Sequence, residues 1–455
     1  MESQATQKAI FMQKKYYGPQ TEKALRNFPF HVYKVHHEFV MALVQIKKAA
    51  AVGNFAAGNI SLDIKNAITR ACDEILTGQF NEQFLLPALQ GGAGTSTNMN
   101  VNEVVAARAT EILQQRGKKT VVHPNDHVNR SMSTNDANPS AIKIASICLT
   151  QNLQATLREL VLALEQKAKS FKDVVKVART HLQDAIPTTL GAEFQSYADI
   201  IRWHQEKISR VVVYCQELNL GGSAIGNSLN ASPKYIQATY RELNRITRQQ
   251  FHPAKNLMSQ TSSQTDFLAM SQAVTALCLD CSKIASDLRL LSSGPRAGLG
   301  EIRLEELQNG SSIMPGKVNP VLPEAVNQLY FLVSGNNLTI EHSAHAAQLE
   351  LGVMFPIIAD RLLQSLKLAS EVLAKFGKDC VAKIKANKTR CRELLEKSTA
   401  YATLLTPRLG YDAMAAAVKE SVASGRTLRE VVIDRKLLTN KEFEAAVKQM
   451  QPRKG

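Results

Sequence analysis

The chain has 455 residues, of which 44% are hydrophobic and 21% are charged, and it carries a net charge of +15. This composition excludes a disordered chain, and the length predicts two or three domains rather than one compact core. A basic surface suits anionic ligands, but aromatic residues make up only 6% of the chain. We therefore favour small anionic substrates over nucleic acid.

The N-terminal segment MESQATQKAIFMQKKYYG has neither an apolar export core nor the arginines of a typical transit peptide. No run of 18 or more apolar residues follows it, so we expect no transmembrane helix and a cytoplasmic location. The seven cysteines are widely spaced, which indicates reduced thiols. Cys278 and Cys281 lie in an apolar helical pattern without a second ligand pair, which favours buried thiols over a redox or zinc site.

Four long segments without glycine or proline predict long helices. They are residues 140–186, 192–220, 254–293 and 357–376. In the first, leucines recur every three or four residues along one helix face, at positions 149, 153, 157, 160 and 164. We expect that helix to end before the polar stretch ARTHLQDAIP. Long helices of this kind indicate a mainly α fold with a central helical bundle.

Changes in this pattern predict three domains: an N-terminal domain over residues 1–131, the central bundle over 132–390 and a small C-terminal helical domain over 391–455. In the last of these, Thr427 precedes Glu430 by three residues, and Thr439 precedes Glu442 by three. This is the spacing of a capping box, so we expect two short helices that begin at these threonines.

Three polar clusters interrupt the helical pattern: GGAGTSTNMNVNE at 91–103, HPNDHVNRSMSTNDANPS at 123–140 and ARTHLQDAIP at 178–187. Hydroxyl and amide groups near helix N-termini bind carboxylates well, because backbone N–H groups and the helix dipole add to them. Each cluster alone is better explained by helix capping, because Ser, Thr, Asn and Asp before a helix are caps in most cases. Their combination points to a site for an acidic substrate.

A fourth segment, GSSIMPGKVNP at 310–320, contains two serines and a lysine between glycines. A phosphate-binding loop has four residues between its glycines and a Ser or Thr after its lysine. Here five residues separate Gly310 from Gly316, and Val318 follows Lys317. The segment is therefore not a phosphate-binding loop, and an ordinary turn and a catalytic loop both remain open at this point.

With this loop, the blocks HPNDHVN, STND, RTHLQDA and SSGPRAGL occur in an order that resembles the aspartase/class II fumarase family over nearly the whole chain. The resemblance implies the three-domain fold of that family and a homotetramer whose central domains share one helical bundle. It also implies active sites built from three subunits, and a small dicarboxylate as substrate.

Residue roles follow from the same resemblance. Ser311 is expected to be the catalytic base, with its anion stabilised by loop N–H groups and by Lys317. His181 is expected to orient the substrate with Glu324 as its charge partner, although Glu324 also suits a plain helix-start acid after Pro323. The expected substrate-binding residues are Thr95, Ser133, Thr134, Asn135, Thr180, Lys317 and Asn319. A second anion site is expected at His123, Asn125 and Asp126.

The local blocks GAGTS, STND, SSGPRAGL and VLPEAVNQ resemble the aspartases, whereas YYGPQT and GLGEI resemble the fumarases. We expect reversible loss of ammonia from L-aspartate to give fumarate through a carbanion. Hydration of fumarate to L-malate is the alternative, and a non-enzymatic anion- or nucleic-acid-binding scaffold is the second. No metal ligands and no required cofactor are expected, although divalent-cation activation stays open.

Two departures from the family pattern stand out. Many relatives read GTGLN where this chain has GNSLN at 226–230. Asn227 and Ser228 are therefore the residues expected to alter the choice of substrate or of leaving group. The segment before Tyr16 lacks the usual lead-in, and its role is open.

Overall fold

The structure, a computed structural model, describes residues 14–448. Most of the unusual N-terminal segment, residues 1–13, therefore lies outside the described residues, as does the end of the chain after residue 448. Helices dominate, and the prediction of a mainly α fold is confirmed.

The helices are numbered in chain order. They are α1 Pro19–Asn27, α2 His37–Ala56, α3 Leu62–Leu76, α4 Thr95–Gln115, α5 Thr134–Ser170, α6 Leu190–Gln216, α7 Pro233–Thr247, α8 Leu257–Ser262, α9 Thr265–Leu291, α10 Val321–His345, α11 Phe355–Asp379, α12 Lys388–Lys397, α13 Tyr401–Leu409, α14 Tyr411–Ser424, α15 Leu428–Asp434 and α16 Asn440–Lys448.

Short strands form three two-stranded sheets. They are β1 Val175–Thr180 with β2 Gln183–Thr189 (antiparallel), β3 Glu217–Leu218 with β4 His252–Pro253 (parallel), and β5 Ile302–Arg303 with β6 Lys385–Ala386 (antiparallel). The long helix α5 ends at Ser170, before the polar stretch, as the sequence predicts. All five leucines of its predicted face are buried.

Contacts within the chain group the residues into two compact units. The first comprises residues 14–153, Glu206–Ala276 and Leu332–Ala369, and the second comprises Gln154–Gln205, Leu277–Phe331 and residues 370–448. The three predicted domain ranges stay predictions, because this grouping follows contacts rather than continuous segments of chain.

In the first unit, α2 packs against α3 and α7. Gly53 of α2 permits the close approach of α7, because a Cβ at this position would lie 2.1 Å from the hydroxyl of Thr239. In the second unit, β1 packs against α12 over a core that includes Val177, Leu395 and Tyr401. The two predicted capping boxes are confirmed at Thr427 and Thr439.

Two helices, α2 and α9, are long and apolar enough to cross a membrane, although the sequence analysis expected none. Core helices of soluble proteins meet the same criteria. Two-thirds of the most apolar window of α2 is buried inside the protein, together with Lys47 and Asn54. Half of the corresponding window of α9 is buried. We interpret both as core helices.

Candidate active site

The STND cluster forms the start of α5. Ser133 Oγ accepts a hydrogen bond from the N–H of Asn135 at 3.2 Å, so Ser133 caps the helix end as a serine at this position commonly does. Thr134 is buried, and its hydroxyl accepts from Asn98 Nδ2 at 3.2 Å. Asn135 donates through Nδ2 to the carbonyl of Ala224 at 2.8 Å, which leaves its side-chain oxygen available.

Asp136 joins this cluster to the loop that precedes the segment departing from the family pattern. Its fully buried carboxylate accepts from the backbone N–H groups of Ser133 at 2.9 Å, Gly221 at 2.9 Å and Ser223 at 3.0 Å. Burial raises the pKa of Asp136 to about 6, and these hydrogen bonds oppose that rise. The loop that leads to Asn227 and Ser228 is thereby attached to the STND cluster.

A buried cation lies behind the same cluster. Lys47 is fully buried and donates to Asn129 Oδ1 at 2.8 Å, and that oxygen also accepts from Asn98 and Asn102 at 3.2 Å each. Burial lowers the pKa of Lys47 to about 7. Asn98 thus connects Lys47, through Asn129, to Thr134. Lys47 carries no sequence signal for this position, because a lysine in a helical segment is usually exposed.

Thr95 lies at a helix N-terminus, since it is the first residue of α4. Its hydroxyl donates to the carbonyl of Gly92 at 2.8 Å, and its side chain is exposed. The glycines before it permit the turn, since Gly94 has a φ of +80° and a Cβ there would lie 2.5 Å from Asn138.

The predicted second anion site forms one wide helical turn, Pro124–Val128. His123 Nδ1 accepts from the N–H of Asp126 at 3.1 Å and lies 3.2 Å from the Asp126 carboxylate. Asn125 is exposed on the same turn. These three residues are neighbours, and anion binding by them stays a prediction.

Thr180 and His181 lie at the tip of a β-hairpin in the second unit. Thr180 pairs with Gln183, and the two turn residues, His181 and Leu182, have φ values of +56° and +61°. This is the geometry of a type I′ turn, which favours Asn-Gly, so the sequence His-Leu carries no signal for it. Both side chains are exposed, which leaves the imidazole accessible.

A buried ion cluster anchors this hairpin. Glu301 is fully buried and lies 2.9 Å from Arg179 Nη2 and 3.1 Å from Lys176 Nζ, both on β1. Lys176 also contacts Glu193 at 2.8 Å. The charges of two cations and two carboxylates therefore balance in this cluster. Such pairing is required because an unpaired buried charge is destabilising. No local sequence pattern predicts this cluster, because Glu301 lies more than a hundred residues from Lys176 and Arg179.

The signature loop presents Ser311 to two backbone donors. The N–H groups of Ile313 and Met314 donate to Ser311 Oγ at 3.2 and 3.1 Å. Such donors stabilise negative charge on this oxygen. Asn319 donates through Nδ2 to the carbonyl of Gly310 at 2.6 Å, so its amide nitrogen closes the loop and its side-chain oxygen remains free.

Lys317 is exposed at the end of the loop and lines a pocket of about 290 Å³. Glu324 lies in the first turn of α10, where its carboxylate is 4.0 Å from Arg289. Within the described residues of one chain, no ion pair or hydrogen bond joins Glu324 to His181. Their expected pairing is therefore not made within the single chain and stays a prediction.

The site residues thus form two groups. Ser133, Thr134 and Asn135 lie in the first unit, where Thr134 accepts from Asn98, whereas the hairpin and the signature loop belong to the second. Cys278 and Cys281 are buried free thiols, as expected, and burial raises both pKa values, that of Cys278 to about 12. Across residues 14–448, no cluster of three or more His, Cys, Asp or Glu side chains is placed to hold a metal ion.

Family models match two parts of the chain. A lyase model matches residues 11–335, and a model described as the C-terminus of fumarase C matches residues 402–451. Among curated relatives, the aspartate ammonia-lyase of Helicobacter pylori (strain ATCC 700392 / 26695) is 43% identical, with 94% of this chain and 92% of the relative covered. That of Escherichia coli (strain K12) is 41% identical, with coverage of 94% and 91%.

Solved structures agree with these relatives. A structure from Brucella melitensis described as fumarate lyase:delta crystallin bound to cobalt has a TM-score of 0.92 and 42% identity, over 96% of both chains. A class II fumarase from Schistosoma mansoni has a TM-score of 0.93 and 34% identity, over 97% of both.

Proposed function

This chain belongs to the lyase family that includes the aspartate ammonia-lyases, and from that premise we propose that it catalyses the reversible elimination of ammonia from L-aspartate to give fumarate. It is a carbon–nitrogen lyase that acts on a small dicarboxylate. The observation that carries the proposal is the 41–43% identity to aspartate ammonia-lyases over 94% of the chain. The test is formation of fumarate from L-aspartate by the purified protein.

Chemistry at the substrate begins with Ser311 as the base. Its alkoxide removes the proton from C3 of L-aspartate, and the electron pair left on C3 is delocalised into the adjacent carboxylate. Collapse of this carbanion breaks the C2–N bond, which releases ammonia and forms the double bond of fumarate. The donors from Ile313 and Met314 support this role, because a serine is a poor base unless its anion is stabilised.

The two carboxylates of the substrate require hydrogen-bond donors or positively charged side chains. We assign one carboxylate to Lys317 and Asn319, and the other to the hydroxyl and amide groups of Thr95, Thr180 and the STND cluster. The exposed ammonium group of Lys317 is available for this contact, as is the second N–H of the Asn135 amide, since its first N–H donates to the carbonyl of Ala224. Donors aimed at the carboxylate that gains charge lower the barrier most. His181, with Glu324 from a neighbouring subunit, orients the substrate.

Loss of water from L-malate is the second candidate function. The blocks YYGPQT and GLGEI, together with the resemblance in structure to the fumarase of Schistosoma mansoni, favour it. L-Malate is therefore the comparison substrate in the assay. The scaffold alternative is rejected, because this chain is an enzyme by its family and retains Ser311, Lys317, Asn319 and His181.

We further propose that the reaction needs no cofactor, since a stabilised base and carboxylate donors supply its chemistry. The neighbour from Brucella melitensis is described as bound to cobalt, so activation by a divalent cation is the specific alternative. The same assay with EDTA distinguishes a cofactor-free reaction from one activated by a divalent cation, because only the cofactor-free reaction keeps its rate. We also propose a cytoplasmic location for this soluble protein, which fractionation of cells would test.

A further inference from the structure

A pocket of about 290 Å³ lies at the base of the signature loop in the second unit. Its wall combines strand β5, the end of α9 and the last residues of the loop. The residues that matter for charge are Arg289, Arg303 and Lys317, and the hydroxyl-bearing Ser292 and Ser293 line the same space. The volume is sufficient for a small organic or inorganic anion.

Among the described residues that line this pocket, none carries a carboxylate side chain. Within the described residues, the side chains of Arg303 and Lys317 form no ion pair or hydrogen bond. Arg289 is partly engaged, since it donates to Asn327 at 2.8 Å and lies 4.0 Å from Glu324. Cations that face one concave space repel each other and raise the local concentration of anions.

We propose that this pocket binds a small anion with a carboxylate or phosphate group between Arg303 and Lys317, and that the bound anion restrains the signature loop. Guanidinium and ammonium groups are the donors that recognise such anions most strongly. This site shares Lys317 with the proposed substrate site and adds Arg303, to which the proposed reaction assigns no role, so the inference rests on the proposed function. Its test reads binding, so its failure and the failure of the lyase proposal are distinguishable.

The loop geometry explains how an anion in the pocket would act on Ser311. Gly310 packs so closely on Lys317 that a Cβ at Gly310 would lie 1.8 Å from the Lys317 carbonyl. Asn319 also binds the carbonyl of Gly310. The two ends of the loop are therefore joined, and an anion that fixes Lys317 also limits the motion of the segment that carries Ser311.

Trypsin provides a direct measure, because the peptide bond after Lys317 lies in this exposed loop. The intact protein is digested briefly with inorganic phosphate, with succinate as an unreactive dicarboxylate, or with neither, and cleavage after Lys317 is measured by mass spectrometry. We expect an anion to slow this cleavage several-fold. Comparison of the two probes identifies phosphate or carboxylate chemistry.

Arg303→Gln is the test variant, and Arg392→Gln is its control, since Arg392 is an exposed arginine of the same unit outside the pocket. The anion is expected to protect the bond after Lys317 from trypsin in the wild type and in Arg392→Gln. In Arg303→Gln, about tenfold more anion should be needed for the same protection. Equal protection in Arg303→Gln, or none in the wild type with either anion, would overturn the proposal. The anion-dependent shift in thermal midpoint gives the same comparison if digestion of a variant is incomplete.

Discussion

Ser311 is the residue on which the proposed chemistry depends, and its neighbour Ser312 is a natural control. Ser311 Oγ accepts two backbone hydrogen bonds, whereas Ser312 is exposed and its hydroxyl makes none within the described residues. Removal of the base is expected to lower kcat with L-aspartate about a thousandfold in Ser311→Ala. Ser312→Ala should change kcat less than about threefold, because its hydroxyl contacts neither loop donor.

The comparison uses initial rates at saturating L-aspartate, with circular dichroism to verify the fold of both variants. Full turnover in Ser311→Ala would exclude Ser311 as the base, and an equal loss in both variants would point to a general disturbance of the loop.

At the same scale, the sequence predicts residue types better than residue contacts. A polar role for the hydroxyls of Ser133 and Thr134 could be predicted, because these residues lie at the start of a long helix. The chain Lys47–Asn129–Asn98 behind Thr134 could not be predicted, because three separate segments supply its members. Asn319 and Asn135 are further cases: both were expected near the substrate, and each also uses its amide nitrogen to bind the backbone.

The hairpin β1–β2 is anchored by the carboxylate of Glu301, a residue distant in sequence that no local pattern predicts. Glu301 bonds to Arg179 immediately before Thr180 and His181, so we treat Glu301 as a positioning residue. Glu301→Gln leaves Arg179 without its buried carboxylate, and loss of one partner of such a pair costs about 3–5 kcal/mol. We expect a lower thermal midpoint and, at 25 °C, a reduced kcat.

Glu193→Gln is the matched control, because Lys176 keeps Glu301 when Glu193 is neutral. It should lose less stability and retain kcat. A Glu301→Gln protein with lowered stability but unchanged kcat and KM would show that the cluster is structural only. Restored activity in Glu301→Asp would support a positioning role.

Helices illustrate what the sequence can and cannot predict at this scale. The breaker-free segments correctly located α5, α6 and α11, because the apolar periodicity there is strong. Helix α10 is not among these segments, because Pro323 and Gly335 interrupt its pattern, although Glu324 after Pro323 was compatible with a helix start. Pro323 lies in the first turn, where a missing N–H costs nothing, and Gly335 has open space beside it.

For the whole molecule, we propose the homotetramer that the resemblance implies. Large apolar side chains on the long helices are exposed in the single chain: Trp203 and Tyr214 on α6, and Phe331 and Leu338 on α10. Association would remove this surface from water. Light scattering should give about four times the chain mass of 50.0 kDa.

A charged substitution tests which surface forms the interface between subunits. Phe331→Asp is expected to dissociate the tetramer, because an aspartate at a buried interface is costly. Val422→Asp on α14 is the control, since Val422 is as exposed as Phe331 but lies on a short helix of the predicted C-terminal domain. A monomeric wild type, or a tetramer unaffected by Phe331→Asp, would contradict this assignment.

The most direct test of the account measures both products of elimination. Purified protein is incubated in parallel with L-aspartate and with L-malate at equal concentrations, with and without EDTA, while fumarate and ammonia are quantified. We expect fumarate and ammonia in equal amounts from L-aspartate, at a rate unaffected by EDTA, and negligible fumarate from L-malate. Fumarate from L-malate alone would make the protein a fumarase. Absence of turnover with both would contradict the proposed reaction and direct attention to Asn227 and Ser228.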